Sequence, residues 1–494
     1  MKTSNHSPQA EELCVTNPQA LTRSCVPKLH VPFSDQDMQT VIIGARRVLN
    51  EIGIQCSSEK IRKLLTSLPG ARQAGDRIYY NDTVVDAILA DSRAKTTEPA
   101  PTRAPFTMGP PTSCLQIADW VANQTRPAIN ADAVRAVRLL EGLGVSASKS
   151  PLAENDVSPE MRNLAGWRTL LKHSRSGTML TNPPVPEQIP AVIDMGAAAG
   201  REPDAHIMAM ISPLRYETNS LEYFLQYRQQ RGLRMRIGGS LPCTGLTSPL
   251  HLPGTLIQSL AEVLGMEACA RALNCPPRPI SSCRCDPCDM RTGNYVIGSP
   301  EYHLLDMASR ALHHAITGAA STSGDFRTMA KFPDAQAMAE RCFGVLFQVL
   351  QGARHFNHAG QLSLDELFSP EQVILDYEIL RNVERIVLGM DWQEEIGGAD
   401  AGNDVIEMIR RGAQAGNYLE SDETINGYRE FFYSSKLFGY EKLQTWVGNG
   451  AKSVLSCAHQ RVEEIVKTTP ECVLSADRAR EVDRIFEHAC RKFV

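Results

Sequence analysis

The chain has 494 residues, 43% hydrophobic and 22% charged, and its 51 Lys and Arg against 56 Asp and Glu give a formal net charge of −5. Those proportions belong to a folded globular protein and exclude collagen-like, low-complexity and coiled-coil classes. Mild acidity without a dense basic run excludes an electrostatic footprint for nucleic acid or an anionic membrane, leaving small molecules and protein surfaces as partners.

No stretch approaches the roughly 20 consecutive apolar residues of a membrane span. Met1–Val26 has no apolar core of signal-peptide type, so a cytoplasmic protein is expected. The 14 Cys are too dilute in a chain of this length for a disulfide scaffold and read as buried thiols.

In chain order, residues 1–30 read as a loose leader, and 31–111 as an N-terminal helical subdomain with its linker. Ser34 is an N-cap with Asp37 placed for a capping box, and Met38, Val41, Ile42, Ala45, Val48, Leu49 and Ile52 form one helical stripe that Gly53 ends. A second helix is expected over Ser58–Leu68, a strand at Ile78–Tyr80 and a third helix over Asp82–Ala90. Thr96–Pro111, rich in Pro, Thr and Ala, is a linker or wrapping arm.

From residue 112 to 368 short apolar runs alternate with helical stripes. The runs predict strands at Gly177–Leu180, Ile207–Ile211, Met235–Gly238, Pro279–Ser282, Ala315–Gly318 and Ala353–His358. Helices are expected over Val185–Ala199, Ser220–Arg231, Thr255–Asn274, Pro300–His314 and Ala335–Gln351. Such alternation means parallel strands with crossover helices, and a closed (β/α)8 TIM-type barrel is the economical α/β solution. Neither G-x-G-x-x-G nor a P-loop pattern is present to favour an open nucleotide-binding sheet. Residues 369–494 read as helices that complete and flank the barrel: Pro370–Leu388, Asn403–Gln414, Tyr440–Thr468 and Ala476–Arg491. Large helical flanks of this kind also suit a homo-oligomer.

Cys283, Cys285 and Cys288 have C-x-C-x-x-C spacing, which suits zinc if His303 or His358 supplies a fourth ligand. That opens an alternative, a zinc-dependent methyltransferase or hydrolase. The bland reading is three buried thiols.

Several segments, in this order and spacing, resemble the trimethylamine methyltransferase family in its branch without pyrrolysine. They are Arg47–Ile54, Gly245–Leu250, Ala261–Glu262, Asp289–Gly293, Gly298–Glu301, Pro333–Ala337, Asn357–Gly360 and Leu375–Glu378. The resemblance runs from about residue 34 to the end. It implies a barrel whose mouth binds a methylated amine and onto which a separate corrinoid protein docks to accept the methyl, with no tightly bound cofactor. The slot of pyrrolysine falls at or near Phe332, which is no nucleophile, so quaternary amines such as betaines or carnitine are expected in place of trimethylamine. Asp422-Glu423-Thr424 stands where many relatives have Pro-His-Thr, which puts a role for the family histidine in doubt. A non-catalytic ligand-binding relative is a further alternative.

A quaternary ammonium leaves as a neutral amine, so the demands on the site are in-line geometry and exclusion of water rather than a proton donor. A grip that is too strong on the cation would stabilise the ground state, which favours an aromatic cage over several carboxylates. Phe332, Phe356 and Tyr216 are the cage candidates, with core packing as the plain reading of each. Ser240, Thr244, Asn357, His358 and Arg327 are the polar candidates for substrate binding, Arg284 being a second possible carboxylate holder. Glu262, in an apolar helical stripe, is expected to reach the pocket floor or to pair with Arg291. Asp289, Gln336 and Glu262 make up the candidate catalytic set, while Asp334 fits an N-cap.

Overall fold

The computed structural model describes residues 33–96, 106–389, 402–431 and 433–493. The expected leader and most of the expected linker lie outside them. Helix α1 (Asp35–Arg47) starts at the expected capping box: the Ser34 hydroxyl accepts from the Asp37 amide at 3.2 Å, and the Asp37 carboxylate accepts from the Ser34 amide at 2.8 Å. It runs into a π-helical turn, Val48–Ile52, closed by Gly53 at φ 70°. Then come β1 (Ile54–Gln55), α2 (Glu59–Leu65), β2 (Ala71–Ala74), β3 (Arg77–Tyr80) and α3 (Asp82–Lys95).

The next stretch holds β4 (Thr107–Met108), β5 (Gln116–Asp119), β6 (Gln124–Pro127), α4 (Asn130–Gly142), α5 (Arg162–His173) and α6 (Ile189–Ala199). It continues with β7 (Asp204–Met208), β8 (Met210–Ile211), β9 (Arg215–Tyr216), α7 (Thr218–Tyr227), β10 (Arg234–Gly238) and α8 (Leu252–Ala272). After these lie β11 (Cys288–Asp289), β12 (Asn294–Tyr295), α9 (Pro300–Thr317), β13 (Ser323–Asp325) and α10 (Ala335–Leu350). Last come β14 (His355–Asn357), β15 (Gln361–Leu362), β16 (Leu367–Phe368) and α11 (Pro370–Leu388). Five further helices cover Gly402–Ala415, Asp422–Phe431, Leu443–Gly448, Val454–Thr468 and Ala476–Phe493.

The strands form five separate sheets, ordered β2-β3-β1-β9-β8, β10-β7, β11-β12, β13-β14-β4 and β15-β16-β5-β6. Parallel pairing does occur, between β7 and β10 and along β13-β14-β4. Among the described residues no sheet closes, which overturns the expected (β/α)8 barrel. Two physical causes are visible. The run expected as a strand at Pro279–Ser282 follows Pro276 and Pro277, and three prolines in four residues remove the amides a ladder needs; only Cys243 bridges Asp286 there. The parallel segments also carry Asp204, His206, Arg236, Arg284, Asp325 and His355 on one face, where a closed barrel packs branched apolar side chains.

Two more expected strands change. Ala315–Gly318 is the end of α9, which Gly318 terminates at φ 79°, and the strand comes later at β13. Gly177–Leu180 is reduced to one bridge from Met179 to Asp204. The helix expected over Tyr440–Thr468 breaks after Gly448 and restarts where Ser453 accepts from the Ser456 amide.

Two hydrophobic cores flank the polar face. One joins α1 and α3 to the almost wholly buried α8 and to α9, with Ile207 and Ile237 from β7 and β10. Gly265 of α8 allows this contact, since a Cβ there would lie 2.0 Å from Ile54. The other joins α4, α5, α6, α10, α11 and the last two helices, with Phe326 and Phe356. None of the described helices is long and apolar enough to cross a membrane.

Candidate functional site

The polar face converges on Asp325, the last residue of β13. Its backbone amide donates to Gln348 of α10 at 2.7 Å, which fixes the strand end. The buried carboxylate accepts from the Arg327 Nε (2.6 Å), the Arg327 amide (2.8 Å), the His358 Nδ1 (2.9 Å) and Arg284. Arg327 also reaches Asp286 at 3.1 Å. Arg310 ties α9 to this region, donating to Asp306 at 2.9 Å and to the Ser321 and Ser323 carbonyls. A cavity of ≈ 50 Å³ lies between α9 and the segments 282–286 and 323–327, with Arg284, Asp286, Asp325, Arg327 and Tyr302 in its wall.

Charge state follows from this packing. Burial acts to raise Asp325, but Arg327, His358 and Arg284 outweigh it and hold the carboxyl well below its ordinary range. Burial pushes His358 down to about 4, so near neutrality the imidazole is uncharged. A neutral ring that donates from Nδ1 to an ionised carboxylate presents a lone pair at Nε2. His358 therefore offers an acceptor, not a donor, and cannot hold a substrate carboxylate. Its backbone is in the left-handed region at φ 68°, a cost that marks a residue held in place by its surroundings.

The expected site residues scatter around this centre. Arg327 and His358 belong to it, and Asn357 precedes His358 with its side chain against His355 at 3.2 Å. Phe356 is fully buried beside Phe326 at 5.4 Å between ring centres, and Tyr216 is buried in the N-terminal sheet, its hydroxyl 2.6 Å from that of Tyr80. Neither ring has an open face. Of the three cage candidates only Phe332, 38% exposed, could touch a ligand.

Glu262 does not pair with Arg291, which is exposed and bonds Asp289 at 3.0 Å. Instead it is fully buried and accepts from Ser212 (2.6 Å), the Leu214 amide (2.9 Å), Gln258 (2.9 Å) and Ser240. Four neutral donors leave it a clamp between β8, α8 and the turn after β10. Thr244 is buried, accepting from the Cys288 amide at 3.1 Å. Asp334 caps α10, and Gln336 in its first turn donates to Glu340 at 2.6 Å on the surface.

The zinc expectation fails on donor geometry. Cys283 and Cys285 alternate with Arg284 and turn into the apolar core, whereas Cys288 lies on β11 beside Cys243. Among the described residues no three His, Cys, Asp or Glu side chains converge for a metal. Burial pushes the Cys283 thiol up to about 12, far from a thiolate.

Asp325 and Asp286 escaped the sequence reading. Asp325 and Arg327 stand two apart in Gly-Asp-Phe-Arg, a spacing that puts both on one side of an extended chain, and that was the available signal.

The description "Trimethylamine methyltransferase (MTTB)" fits residues 2–489. Trimethylamine methyltransferase MttB of Methanosarcina barkeri (strain Fusaro) is 27% identical over 287 residues, which is 58% of this chain and 56% of that protein. Glycine betaine methyltransferase of Desulfitobacterium hafniense (strain Y51) is 30% identical over 260 residues, 52% of this chain and 51% of the other. The chain thus matches about half the length of these curated relatives. The crystal structure of the M. barkeri monomethylamine methyltransferase aligns over 93% of both chains at a TM-score of 0.39 and 12% identity, too low to support an argument about fold. By the extent of the family match, the chain belongs to the trimethylamine methyltransferase family.

Proposed function

We propose that the protein is a methyltransferase that moves a methyl group from a quaternary amine, of betaine or carnitine type, to the Co(I) of a cognate corrinoid protein. One observation carries the reading: where the polar side chains converge, charges are mutually paired and no nucleophile is activated. Asp325 is occupied by three partners, His358 is neutral, and Cys283 is a protonated thiol. Such a site suits a substrate whose leaving group departs neutral, because no proton has to be delivered and no covalent intermediate has to form on the protein. Phe332, which is exposed, would contribute a cation–π contact of about 0.5–2 kcal/mol, enough to orient an onium head without trapping it.

The corrinoid, carried by its own protein, would supply the attacking metal. Half-exposed Arg284 and Met208 show that the polar face is open to solvent, as access from a second protein requires. The test combines the enzyme with cob(I)alamin and, in turn, glycine betaine, proline betaine, carnitine and trimethylamine. A methyl-cobalt spectrum is expected with one quaternary amine and not with trimethylamine. Methylation from trimethylamine, or from none of the quaternary amines, would sink the reading.

A further inference from the structure

Between α11 and the last two helices the described chain is scarcely covered by the rest of the molecule. From 405 to 429 only Gly412 is buried, under the ring of Tyr418. The chain is tied down again at Tyr433, whose hydroxyl donates to Glu378 of α11 at 2.7 Å. The residues in between are not those of a solvated loop. Ten large apolar side chains from 406 to 447 stand exposed, among them Ile406, Ile409, Leu419, Ile425, Tyr428 and Leu443. Together they offer about 1,000 Å² of surface, above the roughly 300–600 Å² of the largest apolar patch on a typical monomer and close to the ~800 Å² a side of a standard interface. The helices Gly402–Ala415 and Asp422–Phe431, of 14 and 10 residues, have lengths that are marginal in water without something to pack on.

The pattern on the second of these helices says what covers it. Asp422, Ile425 and Arg429 stand at i, i+3 and i+7 and so share one stripe. Acid, apolar residue and base follow in that order, with Tyr428 alongside, its ring 4.9 Å from the Arg429 guanidinium. Neither Asp422 nor Arg429 has an ion-pair partner among the described residues. The helix dipole accounts for the signs at the two ends but not for the exposed Ile425 between them. Laid antiparallel against its own copy, the stripe matches itself: Asp422 of one copy meets Arg429 of the other, twice, and the two Ile425 side chains close on the axis. A two-fold interface requires that self-complementarity, and no foreign sequence has to be invoked. We propose that the segment 402–447 is the surface through which two copies of this chain associate, the helix Asp422–Phe431 pairing antiparallel about a two-fold axis. The proposal is independent of the chemistry at Asp325.

Sedimentation velocity on the whole chain tests it. At about 10 μM the parent should sediment as a dimer or a multiple of one. Asp422→Lys and Arg429→Glu each set like charges opposite one another twice per interface, and each should weaken association at least about tenfold. Both positions are exposed, so each variant should keep the circular dichroism of the parent. Mixed in equal amounts, the two variants should recover the parent's association, because unlike charges face each other again at both ends of the mixed pair. A segment folded back on its own chain, or one that docks a different protein, does not produce that recovery. A monomeric parent, variants that associate as tightly as the parent, or a mixture no tighter than either variant alone overturns the proposal.

Discussion

Two buried arginine–carboxylate networks in this molecule have the same chemistry and opposite designs. Arg341 of α10 and Asp376 of α11 are both fully buried, and the carboxylate is closed off: Asp376 accepts from Arg341, the Gly360 amide (2.7 Å) and Gln372 (2.9 Å), while Arg341 also donates to the Gln361 carbonyl and leaves its buried Nε unpaired. Burial wins over a single arginine there, and the Asp376 carboxyl is raised. At Asp325 two arginines and a histidine reverse the outcome, and the carboxyl falls. The first network locks two helices. The second leaves a guanidinium half in solvent and an imidazole lone pair uncommitted, which is the property a binding site needs and a structural clamp does not.

The sharpest break in that contrast would come from Arg341→Met. It leaves Asp376 buried without its counter-charge and should cost about 3–5 kcal/mol in urea unfolding. Arg341→Met/Asp376→Leu should recover most of the loss, since an apolar pair replaces both ions. An unchanged midpoint in the single variant would mean that the pair is no lock. Asp325→Asn comes next. It releases Arg284, Arg327 and His358 from their fixed positions, and methyl transfer is expected to fall about a hundredfold with the fold retained.

The pH profile of stability tests the same centre. His358 titrates at about 4 in the folded state against an ordinary 6.5, so between those values the unfolded chain binds more protons and stability falls as pH drops. Asp325 acts in the adjoining window: its depressed carboxyl adds stability above its ordinary 3.8, and that stability is lost on further acidification. His358→Asn keeps a donor for Asp325 but does not titrate, and should flatten the profile between pH 4 and 6.5 only. A profile unaffected by that change would show that the imidazole is not buried as described.

The sequence could announce helices far better than sheets. Ser34 and Gly53 are local signals, and α1, α10 and α11 begin where a cap or a proline requires, whereas Gly318 ends α9 where the sequence suggested a strand. Closure of a sheet is not local. The apolar runs at 177–180 and 279–282 looked like strands, yet pairing depends on amides the prolines lack and on an inner face whose charge only the assembled structure shows. The site was legible in part for the same reason. Arg327 and His358 stand near chain segments with recognisable motifs, but Asp286 comes from a separate segment, and nothing in its neighbours marks it as the partner of Arg327. Tyr216 and Phe356 have the composition of a cage; their contacts make them core.

The smallest expected effect is the one that most directly separates a surface pair from the buried networks. Asp289 and Arg291 form a two-point pair in the loop that the family motif Asp-Met-Arg-Thr-Gly occupies, with Arg291 exposed and Asp289 partly covered. Exposed pairs of this kind contribute little, because water already stabilises both ions. Asp289→Asn should leave the unfolding midpoint unmoved and betaine binding within about twofold of the parent. If methyl transfer instead collapsed while betaine still bound, Asp289 would have to act on something outside this chain. A corrinoid protein seated on the exposed loop with Leu246, Leu250 and Met290 is the partner that would feel it, and adding salt to the parent enzyme should then mimic the loss.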